Sequence, residues 1–269
     1  EVAMLLSDAF DSESCSRFEQ DHFAVFTEME GLEEALNDIF KKLRSHEMRK
    51  TLPMSVGIYP DDIGMVETSL ACDRAKYAAN SIKNANTSSF IYYDEKMLKR
   101  ELSNKYVIDN LDRAIKENWI TVFYQPIIRS TSRKVCDEEA LARWIDPEKG
   151  MLSPADFIPI LEDTKLIYKV DLHIVDVIIE NYKKRVHDGM GIVPVSVNLS
   201  RADFDMCDMV EEICNRVDAS PMPRNLLTIE ITESLIGENM DYMKEQIKRF
   251  QDLGFSVWMD DFGSGYSSL

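Results

Sequence analysis

Residues 226–230, Leu-Leu-Thr-Ile-Glu, form a short and mostly apolar stretch that ends in a carboxylate. A bounded apolar run of this length is typical of a buried strand. The stretches Val195–Asn198 and Val257–Asp260 end in the same way, one in an amide and the other in a carboxylate. In an α/β barrel the carboxyl ends of the parallel strands meet at one face, where active sites form. The three stretches therefore predict an oxygen-rich site at one end of a sheet.

Strand and helix patterns alternate through the second half of the chain. Five stretches are predicted as strands: Thr121–Ile128, Lys134–Trp144, Val193–Leu199, Leu226–Ile231 and Phe255–Asp260. Helical patterns lie between them, and the longest covers residues 166–186. This alternation predicts a parallel or mixed sheet covered by helices, either open or barrel-like.

The first half has a shorter alternation of the same kind. Strand and helix patterns over residues 1–94 predict a small α/β unit. Residues 95–118 are charged, follow a helical period and contain neither Gly nor Pro. We therefore expect these residues to form a stiff helical connector rather than a flexible linker.

The acidic balance of the chain limits its partners. Among 269 residues there are 31 Lys and Arg against 48 Asp and Glu, which gives a net charge of −17. A polymer of nucleic acid is therefore not an expected partner, because binding to its backbone needs a basic surface. A small anionic substrate remains compatible with this charge, since metal ions can neutralise its phosphates.

Cysteine usage and hydropathy indicate the compartment. The number of cysteines, 5, is odd and no Cys-x-x-Cys pair occurs, which favours reduced thiols over a disulfide framework or a zinc site. No apolar run is long enough to cross a membrane. We therefore expect a cytoplasmic protein, although the chain begins at Glu1, and an upstream region of a parent protein would be the place for a membrane anchor.

Oxygen ligands at the predicted strand ends indicate a particular chemistry. Asn198, Glu230 and Asp260 close three strands, and Glu139 lies in a fourth. Ligand sets that contain only oxygen suit hard cations such as Mg²⁺ and Mn²⁺. A cation held this way suits hydrolysis of a phosphate ester. The alternative is that these side chains only cap helices or stay solvated.

Six motifs in order resemble the EAL domain family, the bacterial phosphodiesterases of cyclic di-GMP. They are Tyr124-Gln125-Pro126, Glu139-Ala140-Leu141-Ala142-Arg143-Trp144, the P-x-x-F-I-P of residues 154–159, the V-N-L-S of 197–200, the E-I-T-E-S of 230–234 and the closing D-D-F-G-S-G-Y-S-S-L of 260–269. A further stretch, D-P-E-K-G at 146–150, resembles the family's H-P-E-x-G with Asp146 in place of the His, and in the closing motif Ser264 replaces a Thr. The resemblance covers roughly residues 100–269.

What this resemblance implies is specific. The fold would be α/β, a TIM-like barrel whose first strand is antiparallel to the others. The metal ligands would be Glu139, Asn198, Glu230, Asp260 and Asp261. Glu139, Asp260 and Asp261 would also be catalytic. Glu233 would be a fourth catalytic residue and would steady the loop that begins at Phe262. Contacts to the dinucleotide would come from Gln125, Leu141 and Arg143. The reaction would be opening of cyclic di-GMP to linear pGpG with Mg²⁺ or Mn²⁺, and the dimers common in the family suggest a homodimer.

The end of the chain leads to a further expectation. Five predicted strands are fewer than the eight of a closed barrel, and the family's water-activating lysine would follow Leu269. We therefore expect the sequence to be a truncated record of a longer protein. The parent would be active, and this fragment would be crippled.

The first half resembles the C-terminal part of a GGDEF domain, the diguanylate cyclase family. Ser16–Phe23 occupies the place of the signature, and Ser55–Ile58 matches a later motif loosely. Glu19 and Gln20 replace both glycines, and His22 replaces the family's Glu. A turn without these glycines cannot approach a nucleotide phosphate closely. We expect no cyclase activity and a scaffold or dimerisation role, with GTP sensing as the weaker alternative.

The predicted organisation has three parts. Residues 1–94 would be a partial, degenerate GGDEF-like domain, 95–118 a helical connector, and 119–269 an EAL domain truncated after its fifth strand. Two other functions stay open for the chain. One is a non-catalytic module that binds cyclic di-GMP or has a regulatory role. The other is an unrelated metal-dependent barrel enzyme.

Overall fold

The computed structural model describes residues 2–18, 21–45, 53–82, 87–232 and 240–260. The chain divides into two compact units, Glu1–Leu102 and Ser103–Leu269. The helices are α1 Val2–Ala9, α2 Leu32–Ser45, α3 Thr68–Asn80, α4 Glu95–Lys116, α5 Pro154–Asp163, α6 Ile167–His187, α7 Arg201–Met206, α8 Met209–Asp218 and α9 Met240–Asp252. The strands are β1 Cys15–Arg17, β2 Phe23–Val25, β3 Ser55–Ile58, β4 Ser89–Tyr92, β5 Ile120–Ile128, β6 Val135–Asp146, β7 Gly150–Leu152, β8 Val195–Leu199, β9 Leu227–Thr232 and β10 Ser256–Asp260.

One mixed sheet forms the centre of the second unit. Its strand order is β10-β9-β8-β6-β5, and the short β7 pairs with β6. Strands β6, β8, β9 and β10 are parallel, whereas β5 and β7 are antiparallel to β6. The antiparallel first strand agrees with the expectation from the sequence.

The two faces of this sheet differ in polarity. Successive side chains in a strand point to opposite faces, so residues two apart share a face. One face carries a run of buried apolar side chains: Val122, Ala140, Trp144, Val195, Val197, Leu199, Leu227, Ile229 and Ile231. Helix α6 packs against β5, β6 and β8, and α5 packs against β6. The Trp144 and Phe157 rings meet edge to face at 5.7 Å in this core.

The first unit is a smaller α/β arrangement. Strands β1 and β2 form an antiparallel hairpin, and β3 and β4 form a parallel pair. Gly57 in β3 lies directly under α3, because a Cβ atom built there would stand 1.7 Å from the carbonyl oxygen of Ala75. The glycine of this motif is therefore required for the close approach of helix and strand.

A network around one arginine joins α3 to the start of α4 in this unit. Arg74 Nε and Nη2 donate to the two Glu101 carboxylate oxygens at 3.1 and 3.2 Å. The Tyr93 hydroxyl donates to Glu101 at 2.5 Å, and the Arg74 guanidinium lies 5.5 Å from the Tyr93 ring centroid. The charge of Arg74, which is 9% exposed, is thereby neutralised.

The five strands predicted in the second half are all present, within two residues of their predicted bounds. The sheet of the described residues is open, with β10 and β5 at its edges, so a closed barrel is not observed there. The short elements β7, α7 and α8 were not predicted. Among the described residues, no helix combines the length and apolar character needed to span a bilayer.

Candidate metal and substrate site

The register of the sheet brings the predicted ligands to one face. Asn198 in β8 pairs directly with Glu230 in β9. Glu139 in β6 pairs with Ser196, two residues before Asn198. Glu230 pairs with Trp258, two residues before Asp260. Because every offset is even, Glu139, Asn198, Glu230 and Asp260 share the polar face, which we call the site face.

One direct contact joins two of these four side chains. Asn198 Nδ2 donates to Glu139 Oε1 at 3.0 Å. Glu230 is half-buried, and its Oε2 atom is buried without a hydrogen-bond partner in the described residues. Burial raises the pKa of the Glu230 carboxyl, and the negative charges of Glu139, Asp260 and Asp137 raise it further. A hydrogen bond from the Ser196 hydroxyl lowers this pKa in part. The group therefore concentrates negative charge, which suits a divalent cation.

The three predicted substrate contacts share the same face. Gln125 in β5 pairs with Glu139, while Leu141 and Arg143 follow Glu139 at steps of two residues. Gln125 is exposed, whereas Leu141 and Arg143 are half-buried. Arg143 donates to the Ala142 carbonyl at 2.8 Å, and its guanidinium lies 5.5 Å from the Phe123 ring centroid. These contacts hold a planar guanidinium on the site face, where it can meet a phosphate.

Two predicted site residues, Glu233 and Asp261, lie outside the described residues. Within the described part of the chain, no three His, Cys, Asp or Glu side chains are already grouped closely enough to hold a metal ion. The donors that are present nevertheless fit a hard cation, because they are carboxylate and amide oxygens and one buried carboxylate oxygen is unpartnered.

The register of β6 decides which of the adjacent residues Glu138 and Glu139 lies on the site face. Glu138 points to the opposite face, where Arg185 Nη1 donates to its Oε2 at 2.6 Å. The Arg185 guanidinium also lies 4.8 Å from the Tyr124 ring centroid, and Asn181 Nδ2 donates to the Tyr124 hydroxyl at 2.8 Å. A slip of one residue would exchange Glu138 and Glu139 between the faces. We call the contacts of Arg185 with Glu138 and Tyr124 the clamp on Glu138. This clamp helps to keep Glu139 on the site face.

One buried acid on the site face, Asp137, was not predicted from the sequence. Asp137 precedes Glu139 by two residues in β6, so it also lies on the site face, and it is 5% exposed. Burial raises its pKa to about 6. The alternation of Asp137 and Glu139 within a strand was the signal that could have identified it.

A pair of carboxyls beside the site had no local sequence signal. A cleft of about 460 Å³ opens next to Asn198 and is lined by Glu162 and Asp171 among others. Asp203, fully buried at the start of α7, accepts from the Ser200 backbone N–H at 2.5 Å. Burial raises the pKa of Asp203 to about 6, and burial together with the Asp203 charge raises that of Asp171 well above its ordinary value. The two carboxyls can bond to each other only by sharing a proton.

Comparison with known proteins identifies the same half of the chain. The EAL domain family model matches residues 108–269. The cyclic di-GMP phosphodiesterase NbdA of Pseudomonas aeruginosa is 25% identical over 268 residues, which are 96% of this chain and 34% of that protein. The chain spans between 28% and 34% of the length of the first four curated relatives that it matches.

Two solved structures share the fold. The PaMucR phosphodiesterase in complex with c-di-GMP is 26% identical with a TM-score of 0.56, over 61% of this chain and 66% of that chain. The S helix-GGDEF-EAL region of Vibrio cholerae LapD, bound to c-di-GMP, is 19% identical with a TM-score of 0.58, over 100% of this chain and 64% of that chain. At 19% identity, the second likeness concerns the fold alone.

The clamp on Glu138 predicts a stability effect. Arg185→Ala should lower the free energy of unfolding by about 1–3 kcal/mol, because it leaves a largely buried carboxylate without its partner. Lys183→Ala on the same helix is the control, since its pair with Glu180 is exposed and should contribute less than about 1 kcal/mol. Urea unfolding of both variants measures the difference. Equal losses would show that the clamp carries no special weight.

The Asp171–Asp203 pair predicts a dependence of stability on pH. A carboxyl whose pKa is raised by folding stabilises the fold fully below its unfolded pKa, near 4, and this contribution is lost as pH rises through about 6. The unfolding free energy should thus fall by on the order of 2 kcal/mol between pH 4 and pH 7 on account of this pair.

Asp203→Asn tests this assignment, because an amide can still accept from Ser200 and can donate to Asp171 without a shared proton. The variant should lose most of that pH dependence, whereas Asp205→Asn, in the same helix but paired with Lys165 at the surface, should keep it. Urea titrations at several pH values give the comparison. An unchanged slope in Asp203→Asn would refute the shared proton.

Proposed function

The chain belongs to the EAL domain family, and we propose that the full-length protein that contains it hydrolyses cyclic di-GMP to linear pGpG with Mg²⁺ or Mn²⁺. One observation carries the proposal: Glu139, Asn198, Glu230 and Asp260 share one face of the sheet, and negative charge is concentrated there. Relatives named as cyclic di-GMP phosphodiesterases support the reaction class.

The cation would be held by side chains from neighbouring strands. Glu139 and Asn198 are already in contact, and the unpartnered Glu230 Oε2 offers the next oxygen. Asp260 follows on β10, and Asp261 is proposed to join a second position. A bound cation supplies a water of lowered pKa and neutralises charge on the phosphoryl group.

The remaining residues would orient the dinucleotide. Arg143 is proposed to meet a phosphate, because its planar guanidinium donates in a fork that matches phosphate oxygens. Gln125 and Leu141, on the same face, would contact the rest of the substrate. Glu233 would steady the loop after β10, which begins at Phe262. Binding of a phosphate by Arg143 would hold the dinucleotide on the site face.

We further propose that the first unit is a degenerate GGDEF-like scaffold. The β1–β2 hairpin lies where the signature is expected, with Arg17 paired to Phe23 and Phe18 N donating to the His22 carbonyl. The likeness to the GGDEF-EAL region of LapD, which extends over the whole chain, supports the α/β fold of this unit alone. The proposed bounds stay 1–94, 95–118 and 119–269, with the last forming part of a barrel and the protein forming a homodimer.

Glu139→Gln tests the proposed hydrolysis. The variant should lower the rate of pGpG formation by about 100-fold or more, since loss of a metal ligand removes about 3 kcal/mol or more of transition-state stabilisation. Glu138→Gln is the matched control, because it makes the same change one residue away on the opposite face, and it should keep most of the activity. Chromatography of products formed with Mg²⁺ and with Mn²⁺ measures both rates.

Two outcomes would contradict this reading. Turnover that survives in Glu139→Gln would remove the residue from the site. Binding of cyclic di-GMP by the unaltered full-length protein without pGpG formation, with either metal, would establish the non-catalytic binding module instead.

The scaffold proposal predicts that GTP offered to the protein yields no cyclic di-GMP. Both glycines of the signature are replaced, by Glu19 and Gln20, so a close approach to the phosphates is lost. Chromatography after long incubation with GTP and Mg²⁺ gives the measurement, with an active diguanylate cyclase as positive control. Detectable product would overturn the proposal.

A further inference from the structure

Asp137 is a buried acid whose place the fold alone does not explain. It lies in β6 on the site face, two residues from Glu139 toward the amino end of the strand. Its side chain is 5% exposed. Burying a carboxylate is costly unless it is paired and hydrogen-bonded. Its contacts therefore decide what the residue does.

Those contacts leave its charge without compensation. In the described part of the chain, Asp137 accepts one hydrogen bond, from the Glu138 backbone N–H at 2.9 Å, and it forms no ion pair. The negative charge that acts on Asp137 is that of Glu138, and the charge of Asp137 acts in turn on Glu230. The surroundings of Asp137 therefore add negative charge instead of balancing it.

Asp146 in the same strand shows how the fold satisfies a buried aspartate elsewhere. It is 2% exposed and accepts from the Tyr106 hydroxyl at 2.6 Å. It also accepts from the backbone N–H groups of Glu148 and Lys149, at 2.8 and 2.9 Å. Asp146 therefore has a complete structural role in the turn after β6, and Asp137 does not.

A second observation also indicates a missing partner on the site face. Glu230 Oε2 is buried and has no hydrogen-bond partner in the described residues. Buried polar atoms without partners are rare in folded proteins, and each calls for an explanation. A cation that draws the carboxylates together would satisfy them.

We propose that Asp137 is a positioning residue for the divalent cation of the Glu139–Asn198–Glu230–Asp260 group. Its buried charge lies behind the ligands and strengthens cation binding through Glu139 and Glu230, and Asp137 is not itself a ligand. The inference rests on the proposed function in so far as that function places a cation there. Groups behind the ligands of a metal site typically change its affinity by about 10–100-fold.

Calorimetric titration of the full chain with Mn²⁺, in the absence of cyclic di-GMP, tests the proposal apart from any turnover. Asp137→Asn should weaken the tightest Mn²⁺ binding by about 10–100-fold. Without metal, the same variant should have a higher melting temperature than the unaltered protein, because it loses an uncompensated buried charge. Asp146→Asn is the matched control in the same strand: it should lose stability and keep its Mn²⁺ affinity.

Glu139→Gln assigns the binding event to the site, and it should abolish the tightest Mn²⁺ binding. Equal Mn²⁺ affinity in Asp137→Asn and the unaltered protein would overturn the proposal, as would a variant that only loses stability. Absence of Mn²⁺ binding in the unaltered protein would overturn the inference together with the proposed metal dependence. Weaker binding in Asp137→Asn with no hydrolysis in the unaltered protein would support the inference and refute the proposed function alone.

Discussion

The two-residue alternation of side chains along β6 is the constraint on which the rest of the site depends. Glu138 and Glu139 are chemically alike, and only the register of the strand decides which of them faces the other ligands. Arg185 holds Glu138 on the helical side at 2.6 Å, and Trp144 is fully buried on that same side. The packing of the core thus determines the face on which Glu139 lies.

The two faces of the sheet in the second unit differ in polarity. The apolar face stabilises the fold, and the site face carries the charged side chains. Apolar burial against α5 and α6 supplies the main driving force for folding of the second unit. The site face gathers Glu139, Glu230 and Asp260 together with the buried Asp137, although these charges oppose one another. Functional sites commonly keep such unfavourable arrangements, which a ligand then relieves. Here the ligand that fits is a divalent cation.

The sequence predicted the sheet well because its strands are short apolar runs that end in oxygen-bearing side chains. Residues 195–199 and 227–232 could be recognised from this pattern alone. The ligand group could also be proposed, since the carboxyl ends of parallel strands converge. The short β7 and α7 were missed because elements of 3 and 6 residues carry too little periodicity. Helix α8 could have been recognised, since buried apolar residues recur at Val210, Ile213 and Val217.

Other features depend on contacts between distant parts of the chain. Asp171 and Asp203 lie on different helices, and no spacing in the sequence reveals that burial raises the pKa of both carboxyls. The role of Arg185 likewise follows from a contact made across 47 positions. The alternation of Asp137 with Glu139 could have placed it on the site face, but only the structure shows that its side chain is buried.

Strand alternation and register are proposed to assemble a cation site from Glu139, Asn198, Glu230 and Asp260. Anomalous diffraction from crystals of the protein grown with Mn²⁺ tests it most directly. The predicted result is a manganese peak within bonding distance of oxygens from Glu139, Asn198 and Glu230. A peak at Glu138 or elsewhere on the acidic surface, with none on the site face, would contradict the claim.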